Sequence, residues 1–498
     1  MIIMKKLFIV SFLYSIAFSS AGAQTTVDYD LTTEAAVGSG DYTAYQLVTN
    51  RHHVLATRPN TAYVRGAVNV EHQLAEDWKL SGAVDAIASV HADHKAYLQQ
   101  CYVNLQWKDF FVEAGARELA PVVRDPLLSS GAFAKGHNAK PIPQVHVGTN
   151  GFWTVPYTKG WLQVNADFGY GKLMDSDYRE KRFYREGSTD ICYATGALYH
   201  QKHLYFRTNP EKPFFVTAGI EHVALFGGTG YSTETGEMVV KKKSTSLKDF
   251  FKVIIPVGDS NYFEDDALED WVFGNHLGSM TVQLGWNINQ DHQLQAYVDD
   301  IFEDGSGMRK GNGWDGLYGM EYKNKAEGRQ FVRGAVIEYL QTTNQSGPLH
   351  WDSNDYPEPL RSQVPELVTG NDNYYNHMFY GAYDHYGMAQ GNALLASPIY
   401  NKDGSSEFRD NRVKAWHLAV NGDITDRLSY LVKGSYREGW GTYSYPLPRK
   451  HHSFDAMLQG IYTTGPWQFS AAYAFDKGNI YGDCNTFNIK IGYHGKLL

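Results

Sequence analysis

The fold class is decided by one stretch of the sequence, Trp78-Lys79-Leu80-Ser81-Gly82-Ala83-Val84-Asp85-Ala86. Its tryptophan, leucine, valine and last alanine fall on one face of an extended chain, whereas its lysine, serine and aspartate fall on the other. Segments 280–288 and 467–476 repeat this alternation. The pattern predicts β-strands that have one apolar face and one wet face.

The composition restricts the classes of protein that such strands can build. The chain has 498 residues, a formal net charge of −9, 14% aromatic residues and a mean hydropathy of −0.42. The negative charge gives no basic surface for nucleic acid. Beyond the N-terminal segment, no apolar run reaches the ~18 residues that a spanning helix needs. A polytopic helical membrane protein is excluded, whereas a secreted β-protein and an outer-membrane barrel are both compatible.

The N-terminus has the pattern of a secretory signal peptide. Lys5 and Lys6 precede the apolar run 7–18, and Ala21-Gly22-Ala23 is an A-x-A cleavage site. The apolar run is too short for a retained membrane anchor. We therefore predict a cleaved signal over 1–23 and a single mature domain over 24–498, exported through the inner membrane. Its 3 cysteines are widely spaced and imply no disulfide framework.

The alternation predicts about eighteen strands along the chain. Their predicted ranges are 27–37, 62–73, 78–90, 96–107, 110–117, 161–170, 190–199, 203–208, 214–225, 279–288, 292–299, 316–324, 329–342, 413–421, 427–437, 451–462, 467–476 and 485–493. If the first strand runs outward, the tight turns fall on the side of both termini, together with one wide connection, 171–189. The longest loops fall on the opposite side, and their predicted ranges are 118–160, 226–278 and 343–412.

An even strand count with short turns on one side and long loops on the other is typical of a transmembrane, antiparallel outer-membrane β-barrel. A soluble β-sandwich would also show alternating strands, but it would not require this one-sided distribution of loops. Charged residues opposite the apolar faces should then line the lumen, since each Arg or Lys facing lipid at the midplane costs roughly 2–4 kcal/mol. The predicted lumen-lining charges are Arg65, Glu71, Asp85, Glu113, Arg117, Asp167, Glu221, Lys433, Arg437 and Asp476.

One helix is predicted within the long loops. In segment 246–255, Leu247, Phe250, Phe251 and Ile254 recur at helical spacing, and Pro256 ends the pattern. Because this helix lies within a long loop of a barrel, we expect it to be a short plug element packed in the barrel mouth.

Motifs for catalysis or metal binding are not found in the sequence. It contains no G-x-S-x-G, H-E-x-x-H or Walker A pattern. The acidic stretch 299–304 fails the EF-hand spacing because Phe302 occupies a ligand position. It is predicted to be a solvated acidic loop, and cation binding there stays open. No enzymatic activity, cofactor or metal is predicted.

The longest predicted loop contains an unusual segment, 371–386, in which tyrosines are interleaved with amide, imidazole and carboxylate side chains. Sugars present apolar C–H faces and hydroxyl groups, which flat aromatic rings and planar polar groups recognise. The candidate saccharide-binding residues are Tyr374, Tyr375, His377, Tyr380, Tyr383, His385 and Tyr386, with Trp351 earlier in the loop. Alternatively, these tyrosines pack the loop into the lumen, which composition alone favours slightly.

Several segments, in their order along the chain, carry a resemblance to a known family. They include Arg58-Pro59-Asn60-Thr61-Ala62-Tyr63-Val64-Arg65-Gly66, Gly274-Asn275-His276-Leu277-Gly278-Ser279 and Tyr383-Asp384-His385-Tyr386-Gly387, with 125–131, 140–145, 158–161, 302–307, 315–319 and 391–394. Together they resemble the capsule-assembly (Wzi-type) outer-membrane family. Ala393 stands where that family leads us to expect a proline, so the conformation of this loop is expected to differ.

The resemblance implies an eighteen-stranded barrel in the cell outer membrane that binds and helps attach or organise capsular or surface polysaccharide. The resemblance offers no catalytic residues to transfer. Outer-membrane lipid is a predicted partner of such a barrel, and contact with capsule-export machinery stays open. The alternative function is a diffusion porin or carbohydrate-selective channel, because a barrel of this size leaves an aqueous channel unless something fills it. The long loops favour a filled lumen.

Overall fold

The computed structural model describes residues 24–184, 191–234, 237–255, 273–345 and 372–498. The predicted signal peptide lies outside these ranges. Nine strands make up the first half of one large antiparallel sheet: β1 (Thr25–Ser39), β2 (Thr61–Ala75), β3 (Trp78–Val90), β4 (Ala96–Trp107), β5 (Phe110–Ala116), β6 (Gln144–Thr149), β7 (Leu162–Lys172), β8 (Leu198–Thr208) and β9 (Phe214–Phe226).

Nine further strands complete the sheet. They are β10 (Asn275–Asn287), β11 (His292–Phe302), β12 (Gly316–Asn324), β13 (Gly334–Gln341), β14 (Val413–Asp423), β15 (Leu428–Gly441), β16 (Pro446–Thr464), β17 (Trp467–Gly478) and β18 (Cys484–Lys496). The first strand pairs with both β2 and β18, so that Leu31 lies opposite Gly66 on one side and Tyr493 on the other. The sheet is therefore a closed eighteen-stranded antiparallel barrel without a free edge.

The remaining elements in the described ranges are short. The helices are α1 (Tyr45–Val48), α2 (Ser176–Phe183), α3 (Leu247–Lys252) and α4 (Gly305–Met308), with a 3₁₀ turn at Pro398–Tyr400. The short strands are Trp153–Thr154, Cys192–Thr195, Thr229–Glu234, Glu237–Lys242, Asn376–His377, Gly381–Ala382, Asp384–His385 and Met388–Ala389. No helix in these ranges is both long enough and apolar enough to cross a membrane.

The barrel wall is apolar on its outer surface and polar on its inner surface. Along β2, Val64 and Val68 are 59% and 42% exposed, whereas Asp85 on the neighbouring strand is fully buried. Trp78 and Trp107 lie at strand ends next to the short turns, with ring centroids 6.1 Å apart. An exposed apolar belt edged by aromatic rings is the surface that an outer-membrane barrel presents to lipid. In such barrels the short-turn side, which here carries both termini, is the periplasmic side.

The number of strands matches the prediction, but two assignments differ. The predicted strands 190–199 and 203–208 are replaced by one wall strand, β8, while Cys192–Thr195 belongs to a small separate sheet. The sequence reading missed β6, because only six residues alternate there inside a stretch assigned to a loop. Once β6 is included, β7 runs outward, so the wide connection that follows it lies among the outer loops and not among the short turns.

The outer loops fold back into the barrel. The largest buried apolar cluster joins loop residues such as Phe133 and Tyr375 to wall residues such as Tyr199, Val223 and Leu340. Helix α1 also lies inside, where the backbone N–H of Tyr45 donates to a carboxylate oxygen of Asp476 at 3.0 Å. The core of this protein therefore sits inside the mouth of the barrel, where loops fill the lumen.

The predicted helix at 246–255 forms, but it does not plug the mouth. Helix α3 packs through Phe250 against Tyr170 and Phe226, with ring centroids 5.1 Å apart in each pair. Both partners point outward, because the neighbouring positions on their strands, such as Asp167 and Val223, point into the lumen. Only part of the predicted apolar face is buried: Phe250 packs against the outside of the wall, whereas Leu247 and Phe251 are exposed.

Candidate functional site

The tyrosine-rich segment forms the centre of the loop plug. Tyr374, Tyr375, Tyr380 and Tyr383 are buried. The hydroxyl of Tyr375 donates to the Phe133 carbonyl at 2.7 Å, and that of Tyr383 donates to the Ala134 carbonyl at 2.8 Å. In this arrangement the four rings contact protein and not solvent, so the structure assigns them to packing.

The other predicted saccharide-binding residues lie at the edge of this plug or beyond the described chain. The Nδ1 atom of His385 is 2.9 Å from the Lys140 carbonyl oxygen, and His385 is buried. His377 is half-buried, and its ring lies tilted beside that of Tyr380 with a centroid distance of 5.0 Å. Trp351 lies outside the described residues. Among the predicted residues, Tyr386 lies beside the outer cleft described below.

Hydrogen bonds and ion pairs fix the plug to the wall. Glu338 on β13 accepts from the Ser129 hydroxyl at 2.6 Å and from the Ser130 N–H at 2.7 Å. Arg124 lies 2.7 Å from Asp299, and both side chains are buried. Asp299 is part of β11, so the prediction of a solvated acidic loop at 299–304 is wrong for this residue. Its charge is balanced by an arginine of the plug.

Most of the predicted lumen charges are buried inside the barrel and paired there. Arg65 pairs with Asp85, Glu113 with His146 and Arg117, Asp167 with Lys135, and Arg437 with Asp455. Glu221 accepts a hydrogen bond from the Tyr205 hydroxyl, and Asp476 accepts one from the Tyr45 N–H. Lys433 is buried on β15. Glu71 and Arg117 differ from the rest, since Glu71 is exposed near the periplasmic rim beside Lys79 and Arg117 lies just past the end of β5.

A cavity of about 210 Å³, lined by apolar and charged residues, lies inside the barrel beneath the plug. Its charged lining contains both signs, with Lys135 and Arg117 beside Asp167 and Glu221. The ammonium group of Lys135 is 3.0 Å from Asp167 and 2.9 Å from Nδ1 of His203. These groups satisfy one another, so the cavity has no strong preference for ligand charge.

A second cavity opens at the outer mouth and is called here the outer cleft. Its volume is about 360 Å³, and it is built from four loops that are far apart in the sequence. The lining residues are Asp41, Tyr42, Thr57, Arg58, Asp93, Tyr178, Arg182, Ile399, Asn401 and Lys402. A small recess continues inward from Asp93 and Tyr178, lined further by His53, His94, Tyr97 and Lys140.

The charged residues of the outer cleft form only weak ion pairs with each other. Arg58 lies 2.6 Å from Asp93, and Lys402 lies 2.5 Å from Asp41. Both cations are largely exposed, and exposed ion pairs of this kind contribute little stability. A bound anion can therefore replace either carboxylate at small cost.

Several buried polar atoms of the cleft and its recess have no hydrogen-bond partner within the protein. They are the Tyr178 hydroxyl, Nε of Arg182, Nε2 of His94 and Nδ1 of His53. Buried polar groups are nearly always hydrogen-bonded in folded proteins. These four belong to a larger set of unpartnered buried side-chain atoms in the described residues, and they lie around the cleft and its recess.

The recess is walled by aromatic rings and contains a lysine with an altered proton affinity. The rings of His94 and Tyr386 are 4.8 Å apart, and Nζ of Lys140 lies 3.2 Å from the ring centroid of Tyr97. Burial lowers the pKa of Lys140 to about 7 and also lowers the pKa of His94. The recess therefore combines flat apolar surfaces with a cation whose charge changes near neutral pH.

Sequence reasoning found only Tyr386 among the residues around the cleft and its recess. The others come from separate loops, and no local pattern marks them as neighbours. The paired histidines His52 and His53 belong to one of these loops. Within the described ranges, no group of three or more histidine, cysteine or acidic side chains is arranged to hold a metal ion.

The fold and the lumen define the class of protein: an outer-membrane-type β-barrel of eighteen strands whose mouth is closed by its own loops. No protein-family model and no curated protein matches the sequence. Among solved structures, the chain is similar to Wzi, described as an outer-membrane protein involved in group 1 capsule assembly in Escherichia coli and as a carbohydrate-binding β-barrel. The TM-score is 0.54 at 11% identity, over 94% of this chain and 84% of Wzi.

Other similar structures are those of two Pseudomonas aeruginosa proteins, OccK5 and the outer-membrane protein OprD. OccK5 aligns with a TM-score of 0.47 at 8% identity, over 95% of this chain and 99% of that chain. OprD aligns with a TM-score of 0.46 at 9% identity, over 95% and 94%. At 11% identity, the likeness to Wzi shows a shared fold alone.

Proposed function

We propose that this protein binds surface polysaccharide at its outer cleft and helps to attach or organise it at the cell surface. The observation that carries the proposal is that aromatic rings and exposed cations together line one cavity that faces outward. A barrel whose mouth is filled by its own loops is suited to holding a ligand at its outer end. The description of Wzi as a carbohydrate-binding barrel agrees with this role.

The chemistry of the cleft favours a glycan with acidic groups. Arg58 and Lys402 can each exchange an exposed carboxylate for one on a sugar, and charge-assisted hydrogen bonds are the stronger kind. The rings of Tyr42 and Tyr178 provide surfaces for the C–H faces of a pyranose. Repeated units of a polymer would add avidity to a modest affinity at each site.

The proposal includes placement in the outer membrane after cleavage of the signal at 1–23. The exposed apolar belt supports that placement, because it would be unfavourable in water. We include capsule-export machinery as a partner, an expectation that rests on the resemblance of the sequence to the capsule-assembly family. No catalytic step is part of the proposal.

The test is a double variant, Arg58→Ala with Lys402→Ala. We expect its affinity for an acidic polysaccharide to fall by on the order of tenfold, the loss expected for one or two exposed charge-assisted contacts. Cell-associated polysaccharide should fall and the amount shed to the medium should rise. The matched control is Lys108→Ala, which removes an exposed ion pair with Asp77 at 3.3 Å at the periplasmic turns, at the opposite end of the barrel from the cleft. Equal retention in the double variant and the control would contradict the proposal.

A diffusion porin or carbohydrate-selective channel is the second candidate function. The observation that favours it is the cavity beneath the plug, which would lie on a solute path if the plug moved. Planar-bilayer conductance separates the two functions. Large, steady open currents from the intact protein would favour the porin, and a mostly closed protein that retains polysaccharide would favour the holding role.

A further inference from the structure

Helix α3 and the residues after it lie on the outer surface of the barrel, over strands β7 to β10. The inner face of this segment carries Phe250 and Val253, which join a buried cluster with Ala224 and Phe226 of β9. The Tyr170 hydroxyl on β7 donates to the Phe250 carbonyl. The segment is therefore held to the wall by both apolar contacts and hydrogen bonds.

The wall beneath this segment is unusual because its outward side chains are polar. His200 and Lys202 on β8, His222 on β9 and His276 on β10 form one cluster. Nζ of Lys202 is 3.0 Å from Nδ1 of His222, and it also donates to the Ile254 carbonyl. Outward residues lower on the same strand, such as Leu204 and Phe206, are apolar and exposed. The polar cluster interrupts the apolar belt, and the segment covers the interruption.

The height of the cluster places it near the outer edge of the bilayer. A strand rises about 3.3 Å per residue, and a tilt of about 40° leaves roughly 2.5 Å per residue along the membrane normal. Phe214 begins β9 at the periplasmic rim, and His222 follows eight residues later, so His222 lies about 20 Å higher. The apolar band of such barrels is about 25 Å tall. The cluster is thus at the level where acyl chains meet the outer headgroups.

The outer face of the segment is apolar and solvent-exposed. Leu247, Phe251 and Ile255 follow at i, i+4 spacing and are 77%, 68% and 64% exposed. Two lysines, Lys248 and Lys252, lie on the same helix, and Lys248 is exposed. An apolar face flanked by lysines, lying at the edge of a lipid-facing belt, matches a helix that rests in a membrane interface.

We propose that α3 is an interfacial helix that seats the barrel against phosphorylated lipids of the outer leaflet. Its apolar face meets acyl chains, and its lysines lie where lipid phosphates lie. In doing so it screens the histidine–lysine cluster of the wall from hydrocarbon. This role is independent of glycan binding at the outer cleft, which lies on other loops.

The test is photo-crosslinking from position 251. With Phe251 replaced by p-benzoylphenylalanine, irradiation of the full-length protein in native outer membranes should give adducts with lipid, seen as a gel shift that lipid antibodies recognise. The control places the same group at Tyr443, which is exposed in the hairpin between β15 and β16. Tyr443 lies farther toward the outer side of the barrel than Phe454, which is an outward-facing residue of β16. We expect at least a severalfold higher lipid yield at 251 than at 443.

The phosphate contact is tested in vesicles of phosphatidylcholine that contain either bisphosphorylated or monophosphorylated lipid A. The yield at 251 should be severalfold higher with the bisphosphorylated lipid, and Lys248→Glu with Lys252→Glu should remove this preference. Heat-modifiable gel mobility confirms that each variant is folded. A lipid yield at 251 equal to that at 443, adducts formed mainly with protein, or an unchanged preference in the lysine variant would each overturn the proposal.

Discussion

The plug should open when its tyrosine hydroxyls are removed. Tyr375 donates to the Phe133 carbonyl at 2.7 Å and accepts from the Asn392 N–H at 2.9 Å, and Tyr383 donates to the Ala134 carbonyl at 2.8 Å. All of these groups are buried. In the double variant Tyr375→Phe with Tyr383→Phe, the rings still fill their space, but two carbonyls and one N–H lose a partner.

The size of the effect follows from the number of groups left unsatisfied. A buried donor or acceptor without a partner costs about 1–3 kcal/mol, so three such groups destabilise the docked loops by at least about 3 kcal/mol. Since 1.4 kcal/mol corresponds to a factor of ten, the equilibrium between docked and released loops should shift about 100-fold or more. The barrel wall keeps its own hydrogen bonds and should not change.

The assay is the open fraction of single proteins in a planar bilayer. The wild type should be almost always closed, and the double variant should show frequent openings at the same current level. Tyr443→Phe, at an exposed position, serves as the control for loss of a hydroxyl. An unchanged open fraction in a double variant that folds normally by gel mobility would show that these hydrogen bonds do not hold the plug.

Three further predictions concern the wall and the recess. Arg437→Met should destabilise the barrel by about 3–5 kcal/mol in urea unfolding, because it leaves the Asp455 carboxylate buried without its partner, and adding Asp455→Asn should recover most of the loss. The stability of the wild type relative to Lys140→Met should rise between about pH 7 and the ordinary lysine pKa of about 10.4, because in that range only the unfolded chain keeps the proton on Lys140. Heat-modified gel mobility of the two proteins at pH 7 and pH 9 measures this difference in stability. A difference that does not change with pH contradicts the prediction. In intact membranes Val64→Cys should react with a lipid-phase probe and Asp85→Cys should not, and the opposite pattern would invert the wall.

Local alternation was sufficient to predict most of the wall. In a strand with one apolar and one polar face, the side chains themselves show which face meets lipid and which faces the lumen. Strands such as β3 and β17 were therefore predicted close to their observed bounds. The prediction failed at β6, where six residues carry too little pattern, and at β8, whose polar outward residues break the expected alternation. The cause of that break, His200 and Lys202 beneath a covering helix, is not visible along one strand.

The sequence by itself determined that this chain makes a barrel with long loops on one side, because period-two alternation and turn lengths are local properties. Only the tertiary structure decided where the loops go. Helical spacing in α3 predicts one buried face but does not say against which surface it packs. In the structure Phe250 packs against the outer surface of the wall, whereas Leu247 and Phe251 of the predicted face stay exposed. The tyrosines near Tyr375 are equally suited to a glycan or to a core, and their burial depends on carbonyls of a loop about 240 residues away in the sequence. The outer cleft exists only because closure of the barrel brings four distant loops to one mouth.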